Sequence, residues 1–300
     1  MVLRRPLRYT TRVVRAAPPP RRDMSTPILV GDCVHPGRYA LHSRFARAVN
    51  FSSHGRLVSL VTPAVGPGPL NIVLARLPEA AHRLEVDAHS VSVDGRALGA
   101  SARYDSTLPK HRPDPAVLRR NLRACELHVR RNAPEIGLAG LLSEDPSAEP
   151  LRPFERALIE RGRMGAVLLA SGDWAAGART LRGLGVGLTP SGDDFLAGWM
   201  LGLHLLKNLR LRPTRELRAL RTAARGRGLL SGALLGCAAR GRFFEPARTL
   251  VRTLLAGTPA GTRHATGTLL EHGASSGADL ATGLLICMRA RMGKDSIHAR

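Results

Sequence analysis

Lysine is almost absent from this 300-residue chain. Lys110, Lys207 and Lys294 are its three lysines, although the formal net charge is +22. The excess is arginine, dispersed along the chain among many Ala, Gly, Pro and Leu residues, a pattern that codon bias in a GC-rich genome produces. No zinc-finger spacing, RRM signature or basic zipper accompanies the charge, so specific nucleic-acid recognition is not expected. Nonspecific polyanion binding at low salt is. Aromatics are scarce at 4 %, which leaves Leu, Ala and Val to fill the core. The four cysteines, Cys33, Cys125, Cys237 and Cys287, form no Cys-x-x-Cys pair. That excludes a disulfide framework and fits free, mostly buried thiols in a reducing cytosol. No apolar run approaches the ~18 residues that span a bilayer, and the Phe195–Leu206 stretch is interrupted by His204 and glycines. No Ser-His-Asp order, Walker loop or His-Glu-x-x-His motif is present.

What the chain does have is concentrated at Gly183-Leu-Gly185-Val-Gly187-Leu-Thr189-Pro-Ser191-Gly192-Asp193-Asp194-Phe-Leu-Ala-Gly198. Three alternate glycines lead through a proline turn to two adjacent carboxylates, and an apolar helical stretch follows. Glycines permit backbone conformations closed to other residues and let a ligand approach the main chain. Free N–H groups entering a helix N-terminus suit an anion. Carboxylates in the same turn suit a metal or an amide donor.

A weaker copy recurs at Ala274-Ser275-Ser276-Gly277-Ala-Asp279-Leu-Ala-Thr-Gly283. Both copies read Ser-Gly-x-Asp-x-x-x-Gly. Ser191 with Asp194, and Ser276 with Asp279, have capping-box spacing, so a plain structural reading has each serine closing a helix N-terminus. Capping explains the second copy adequately. In the first it leaves Gly183, Gly185, Gly187 and Asp193 without a reason, and a functional site is the better account.

These residues resemble the first signature of the AllH-like proteins. Gly273-Ala-Ser275-Ser276-Gly277-Ala-Asp279 is similar to that family's second signature. Ser231-Gly-Ala-Leu-Leu-Gly236-Cys-Ala-Ala-Arg240-Gly241-Arg-Phe243 is similar to its middle segment. The resemblance extends from about Asp32 to Met292. It implies a subunit of an oxamate carbamoyltransferase complex of purine (allantoin) catabolism, converting oxalurate and phosphate to oxamate and carbamoyl phosphate. It implies other protein subunits as partners and a small anionic substrate. The alternative is a non-catalytic scaffold subunit whose motifs only shape helix ends.

Along the chain, residues 1–23 are Arg-rich, nearly acid-free and carry Pro18-Pro19-Pro20. They are expected to be a disordered extension, or to precede a true start at Met24. Residues 24–105 read as a β-rich domain, with short strands at Arg56–Thr62 and Leu70–Ala75 and a turn at Asp94-Gly95. Residues 106–115 hold three prolines and read as a linker. From 116 to 300 the period becomes helical, with helices over 116–131, 153–170, 194–209, 214–224, 229–240, 246–256 and 276–292. The fold class is therefore α+β, a β-rich N-terminal domain followed by a larger, mainly helical one.

Catalytic candidates are Asp193, Asp194 and His272, the last standing four positions before Ser276. Substrate-binding candidates are Gly185, Gly187, Thr189, Ser191, Gly192, Ser275, Ser276, Gly277 and Asp279. Backbone N–H groups over Gly185–Gly192 would hold phosphate or an oxyanion. Asp193, with Asp194, would take a carbamoyl N–H or a bridging Mg²⁺, Asp193 being the metal candidate. Arg182, Arg225, Arg227 and Arg240 are the nearest cations for an anionic substrate. Asn50, Ser52 and Ser53 read as a turn, and Gly66–Asn71 as a hairpin connection. The expected setting is cytoplasmic.

Overall fold

The computed structural model describes residues 28–99, 101–143, 152–210, 213–223 and 228–293. The expectations for residues 1–23, Arg225 and Arg227 fall outside these. Strands occupy Ile28–Gly31 (β1), Gly37–Arg44 (β2), Ala48–Ser53 (β3), Arg56–Val61 (β4), Asn71–Val73 (β5), Arg83–Val86 (β6), Val91–Val93 (β7), Arg96–Leu98 (β8) and Ser101–Tyr104 (β9). They form one sheet in the order β8-β7-β6-β2-β3-β4-β5-β1-β9. Helices follow at Pro115–Asn132 (α1), Pro153–Ser171 (α2), Trp174–Leu181 (α3), Ser191–Asn208 (α4), Thr214–Ala223 (α5), Leu229–Ala239 (α6), Glu245–Ala256 (α7), Pro259–Leu270 (α8) and Ser276–Met292 (α9), with a 3₁₀ turn at Ala139–Leu142. The fold is α+β, as the change of hydrophobic period requires. None of the described helices is long and apolar enough to cross a membrane.

The Asp94-Gly95 turn joins β7 to β8 with both residues at positive φ (48° and 78°), the conformation of a tight two-residue hairpin. The Gly66–Asn71 expectation is corrected. β4 and β5 pair in parallel, with Ser59 opposite Asn71. A hairpin would make them antiparallel. The Gly- and Pro-rich segment instead carries the chain back alongside β4. Gly66 is at φ 81°, and its carbonyl accepts from Asn71 Nδ2 at 3.0 Å. Nor do residues 106–115 begin as a free linker. Ser106 is fully buried, donates to Asp32 from both its N–H and its hydroxyl, and its carbonyl accepts from Phe243 N.

The helical part is built around α4, which is buried nearly all round from Ser191 to Leu206, as a helix apolar on every face must be. Its closest neighbour is α9. A methyl group on Gly198 would lie 1.9 Å from Leu280 O, and one on Gly283 would lie 2.0 Å from Phe195 O. Gly202 meets Leu284 O and Cys287 further along. The two helices therefore run in the same direction, backbone against backbone. Buried ion pairs hold the far end of α9: Arg289 with Glu126 of α1, and Arg291 with Glu216 of α5 at 2.8 Å. Glu216 also accepts from Trp199 Nε1 at 2.8 Å.

The relation between α4 and α9 extends to the helices before them. Gly172 and Gly257 end α2 and α7. Asp173 and Thr258 cap α3 and α8, accepting from Ala176 N and Gly261 N. Gly192 and Gly277 tuck under the carbonyls of Leu181 and Leu269. The glycine and cap pairs stand at one constant offset in sequence, whereas Leu181 and Leu269 do not. The order of caps and glycines in α2-α3-α4 thus recurs in α7-α8-α9, and the Gly198 and Gly283 contacts are reciprocal. α3 and α8 are also the helices that periodicity does not reveal. Gly177, Gly261 and Gly267 and several threonines weaken helix propensity there, and capping and packing compensate.

Because neither carbonyl has room to retreat, Gly198→Ala and Gly283→Ala should each destabilise the chain by roughly 2–4 kcal/mol. Urea unfolding of the variants measures this. A loss within about 0.5 kcal/mol, the range of a surface change, would contradict the packing described.

Candidate functional site

The parallel course of α4 and α9 brings both Ser-Gly-x-Asp turns to one end of the helical part. Thr189 Oγ1 lies 3.0 Å from Ser276 Oγ across the junction. Facing it are β3, β4 and the 63–71 segment, and between them lies a cavity of about 320 Å³. Thr189, Asp194, His272, Gly273 and Ser276 line its helical side; Asn50, Ser59, Gly68 and Asn71 line its sheet side. Most of the rest of the wall is apolar, from residues such as Leu57, Leu70, Leu230, Phe243 and Phe244. A small apolar cavity with a few converging polar groups is the ordinary form of a ligand site.

Neither serine caps its own helix. The N-cap residues are Pro190 and Ser275, and neither makes a side-chain capping bond. Ser191 instead sits beside Asp279, and Ser276 beside Asp194, each serine serving the acid of the other copy. The capping-box expectation fails because each serine is the first helical residue, one position past the N-cap.

The glycine loop is shaped by Gly183, Gly185 and Gly187 at φ 72°, 104° and 102°, values that exclude most side chains. Part of its hydrogen-bonding capacity is spent internally: Gly183 N donates to Asp193 Oδ1 at 2.9 Å, and Gly192 N to Leu184 O at 2.8 Å. Among the described residues, nothing accepts from the N–H groups of Gly185, Val186, Gly187, Leu188 or Thr189. Those N–H groups therefore retain the capacity expected of an anion-binding loop, whereas Gly192 does not.

Asp193, the metal candidate, lies behind the cavity wall. Its carboxylate is buried, braces Gly183 and is absent from the cavity wall. Among the described residues no group of three His, Cys, Asp or Glu could hold a metal ion. The cavity wall offers one carboxylate, Asp194; Mg²⁺ is held by one or two carboxylates with water and substrate phosphate.

Of the other candidates, Gly185 and Gly187 shape the loop. Ser191, Gly192, Ser275, Gly277 and Asp279 support the junction from behind and do not line the cavity. Arg182 bonds Ala223 O and Arg240 bonds Cys237 Sγ. The cations at the cavity are different ones, Arg47 and Arg242. Arg242 is paired with Asp32 and Asp105, and Arg47 is exposed. Of the sheet wall, Arg56–Thr62 reads as a strand in the sequence, whereas Asn50 and Gly66–Asn71 read as turns. Its signal was a polar pair inside apolar strands: Asn50 stands opposite Ser59, which donates to Asn50 Oδ1 at 2.7 Å.

Two titratable groups face the cavity from the helical side. Burial raises Asp194 from 3.8 to about 7, with Asp279 and Asp193 nearby adding to the shift and the hydroxyls of Ser276 and Thr189 opposing it. His272 is stacked on Phe244 at 4.3 Å between ring centroids, and burial lowers its pKa, so it is neutral at pH 7. Behind the wall, burial raises Asp279 to about 6 against the pull of Leu138 N, Ser275 and Ser191.

Residues 181–288 match the family model described as oxamate carbamoyltransferase subunit AllH, so the chain is AllH-like from the end of α3 almost to the end of α9. The matched stretch contains the helical wall of the cavity; the sheet wall lies outside it. No curated protein and no solved structure matches the chain.

Asp194 and Asp279 bind protons more tightly folded than unfolded, so stability is greatest where both are protonated and falls as pH rises from about 4 to about 7. Melting temperature followed across that range should decline in wild type and decline less in Asp194→Asn. Parallel curves for the two proteins would contradict the shift assigned to Asp194.

Proposed function

We propose that this chain is the substrate-binding subunit of a carbamoyltransferase complex, with oxalurate and phosphate meeting in the cavity at the α4–α9 junction. The observation that carries the reading is the convergence of two Ser-Gly-x-Asp helix N-termini on one cavity, with Asp194 and His272 in its wall. The AllH match over that segment supports the choice of reaction. Phosphate lies against the open N–H groups of Leu188 and Thr189, the part of the glycine loop that lines the cavity, where the helix N-terminus favours negative charge. Arg47 at the cavity mouth adds a cation for the carboxylate of oxalurate.

The chemistry needs one new bond and one proton transfer. A phosphate oxygen attacks the carbamoyl carbon, and the bond from that carbon to the oxamate nitrogen breaks. The proton of hydrogen phosphate ends on the departing nitrogen, giving oxamate and carbamoyl phosphate. His272, neutral at pH 7, is suited to carry it, and Asp194 titrates in the range where a general acid or base works. Asp193 takes no part beyond holding the loop.

The second reading, a scaffold subunit, draws on Val186 and Leu188. Both are apolar, largely exposed and at the loop itself, a setting that also suits contact with another subunit.

Turnover in the reconstituted complex separates the two. Asp194→Asn and His272→Gln should each lower phosphate-dependent cleavage of oxalurate about 10²–10⁴-fold, the range of a general acid–base contribution, while subunit assembly is retained. Wild-type turnover by both variants would leave the scaffold reading.

A further inference from the structure

The two Ser-Gly-x-Asp turns are equivalent in structure but not in what they bind. In both, the aspartate Oδ2 is buried with no hydrogen-bond partner, and the other copy's serine lies beside the carboxyl. They differ in their further partner. Asp279 Oδ1 accepts the Leu138 peptide N–H at 2.5 Å. That N–H is delivered by Gly137, at φ 98°, where a methyl group would lie 2.5 Å from the same oxygen. The chain's own backbone thus fills the Asp279 niche as closely as a bound molecule would. No backbone N–H among the described residues takes the corresponding place at Asp194. Asp194 lines the cavity instead.

We propose that Asp194 is the recognition group for an amide-type N–H on the ligand, and that the Leu138 N–H on Asp279 is the protein's internal copy of that contact. The ligand class is a small planar amide or ureide, its N–H directed at Asp194 beside the Thr189 and Ser276 hydroxyls. A ligand ammonium is disfavoured by Arg47 in the same wall. The asymmetry also has a stability consequence. Removing Asp279 strands a buried peptide N–H, whereas removing Asp194 strands none. This inference deepens the carbamoyltransferase reading and rests on it for one of its probes.

The test uses the full chain, as wild type and Asp194→Ala, titrated calorimetrically with oxalurate, with oxalate (which has no N–H) and with acetamide. The expected result, above about pH 8 where Asp194 is charged, is that wild type binds oxalurate and acetamide and prefers oxalurate to oxalate by about tenfold or more, the worth of one hydrogen bond to a charged group. Asp194→Ala should abolish the preference. Oxalurate binding that Asp194→Ala leaves unchanged would overturn the assignment of Asp194 while sparing the reaction proposed above. Acetamide binding that depends on Asp194, with no binding of oxalurate, would uphold the assignment and overturn that reaction. No binding of any probe would overturn both. Thermal melts give a readout that needs no ligand. Asp279→Ala should lower the melting temperature by several degrees, and Asp194→Ala should leave it unchanged or raised. An equal fall in both would make Asp194 a structural acid and overturn the proposal.

Discussion

The site depends on one packing constraint, the contact of α4 and α9 through glycine. Gly198 and Gly283 let each backbone rest on a carbonyl of the other helix. At that distance the helices cannot splay, and their N-termini arrive side by side. The Thr189–Ser276 contact, the crossed serine–aspartate neighbours and the raised pKa of Asp194 all follow from that approach. Two carboxyl groups brought together under a mostly apolar wall are costly to ionise at once. The structure answers the charge at Asp279 with a peptide N–H and leaves Asp194 facing the cavity.

The sheet supplies what the helical repeat lacks. Its strands β3 and β4 and the parallel return into β5 form the opposite wall. That wall is fixed to the helices by the Arg242–Asp32 pair, by Tyr104 donating to Glu245 at 2.8 Å, and by apolar contact of Leu57 and Leu70 with Cys237 of α6. The AllH match stops short of these strands, so the helical wall carries the family likeness and the sheet wall completes the cavity. Ser59 donates to Asn50, and the Asn50 amide donates to Ser43 at 3.1 Å, so their polarity is spent largely within the sheet.

The sequence disclosed the fold class and most helices because period and punctuation are local properties. It also disclosed that two motifs repeat, since Ser191-Gly-x-Asp194 and Ser276-Gly-x-Asp279 are short and alike. What each residue touches is not local. Ser191 and Asp194 have capping spacing within one turn, yet the partner of each stands on the other copy. Asp193 and Asp194 are adjacent in sequence, but on a helix neighbouring positions point about 100° apart. One braces Gly183 and the other faces the cavity. α3 and α8 escaped because glycine and threonine dilute their pattern, and the parallel return to β5 escaped because a Gly-Pro turn does not announce its direction.

The account turns on the claim that the two repeated turns and the sheet enclose a single ligand site. A crystal structure of the chain soaked with oxalurate tests it most directly. The account predicts electron density for the ligand between Asn50 and the Thr189–Ser276 junction, with a ligand nitrogen within hydrogen-bond distance of the Asp194 carboxyl. Density at another surface of the chain, or an empty cavity at saturating oxalurate, would contradict it.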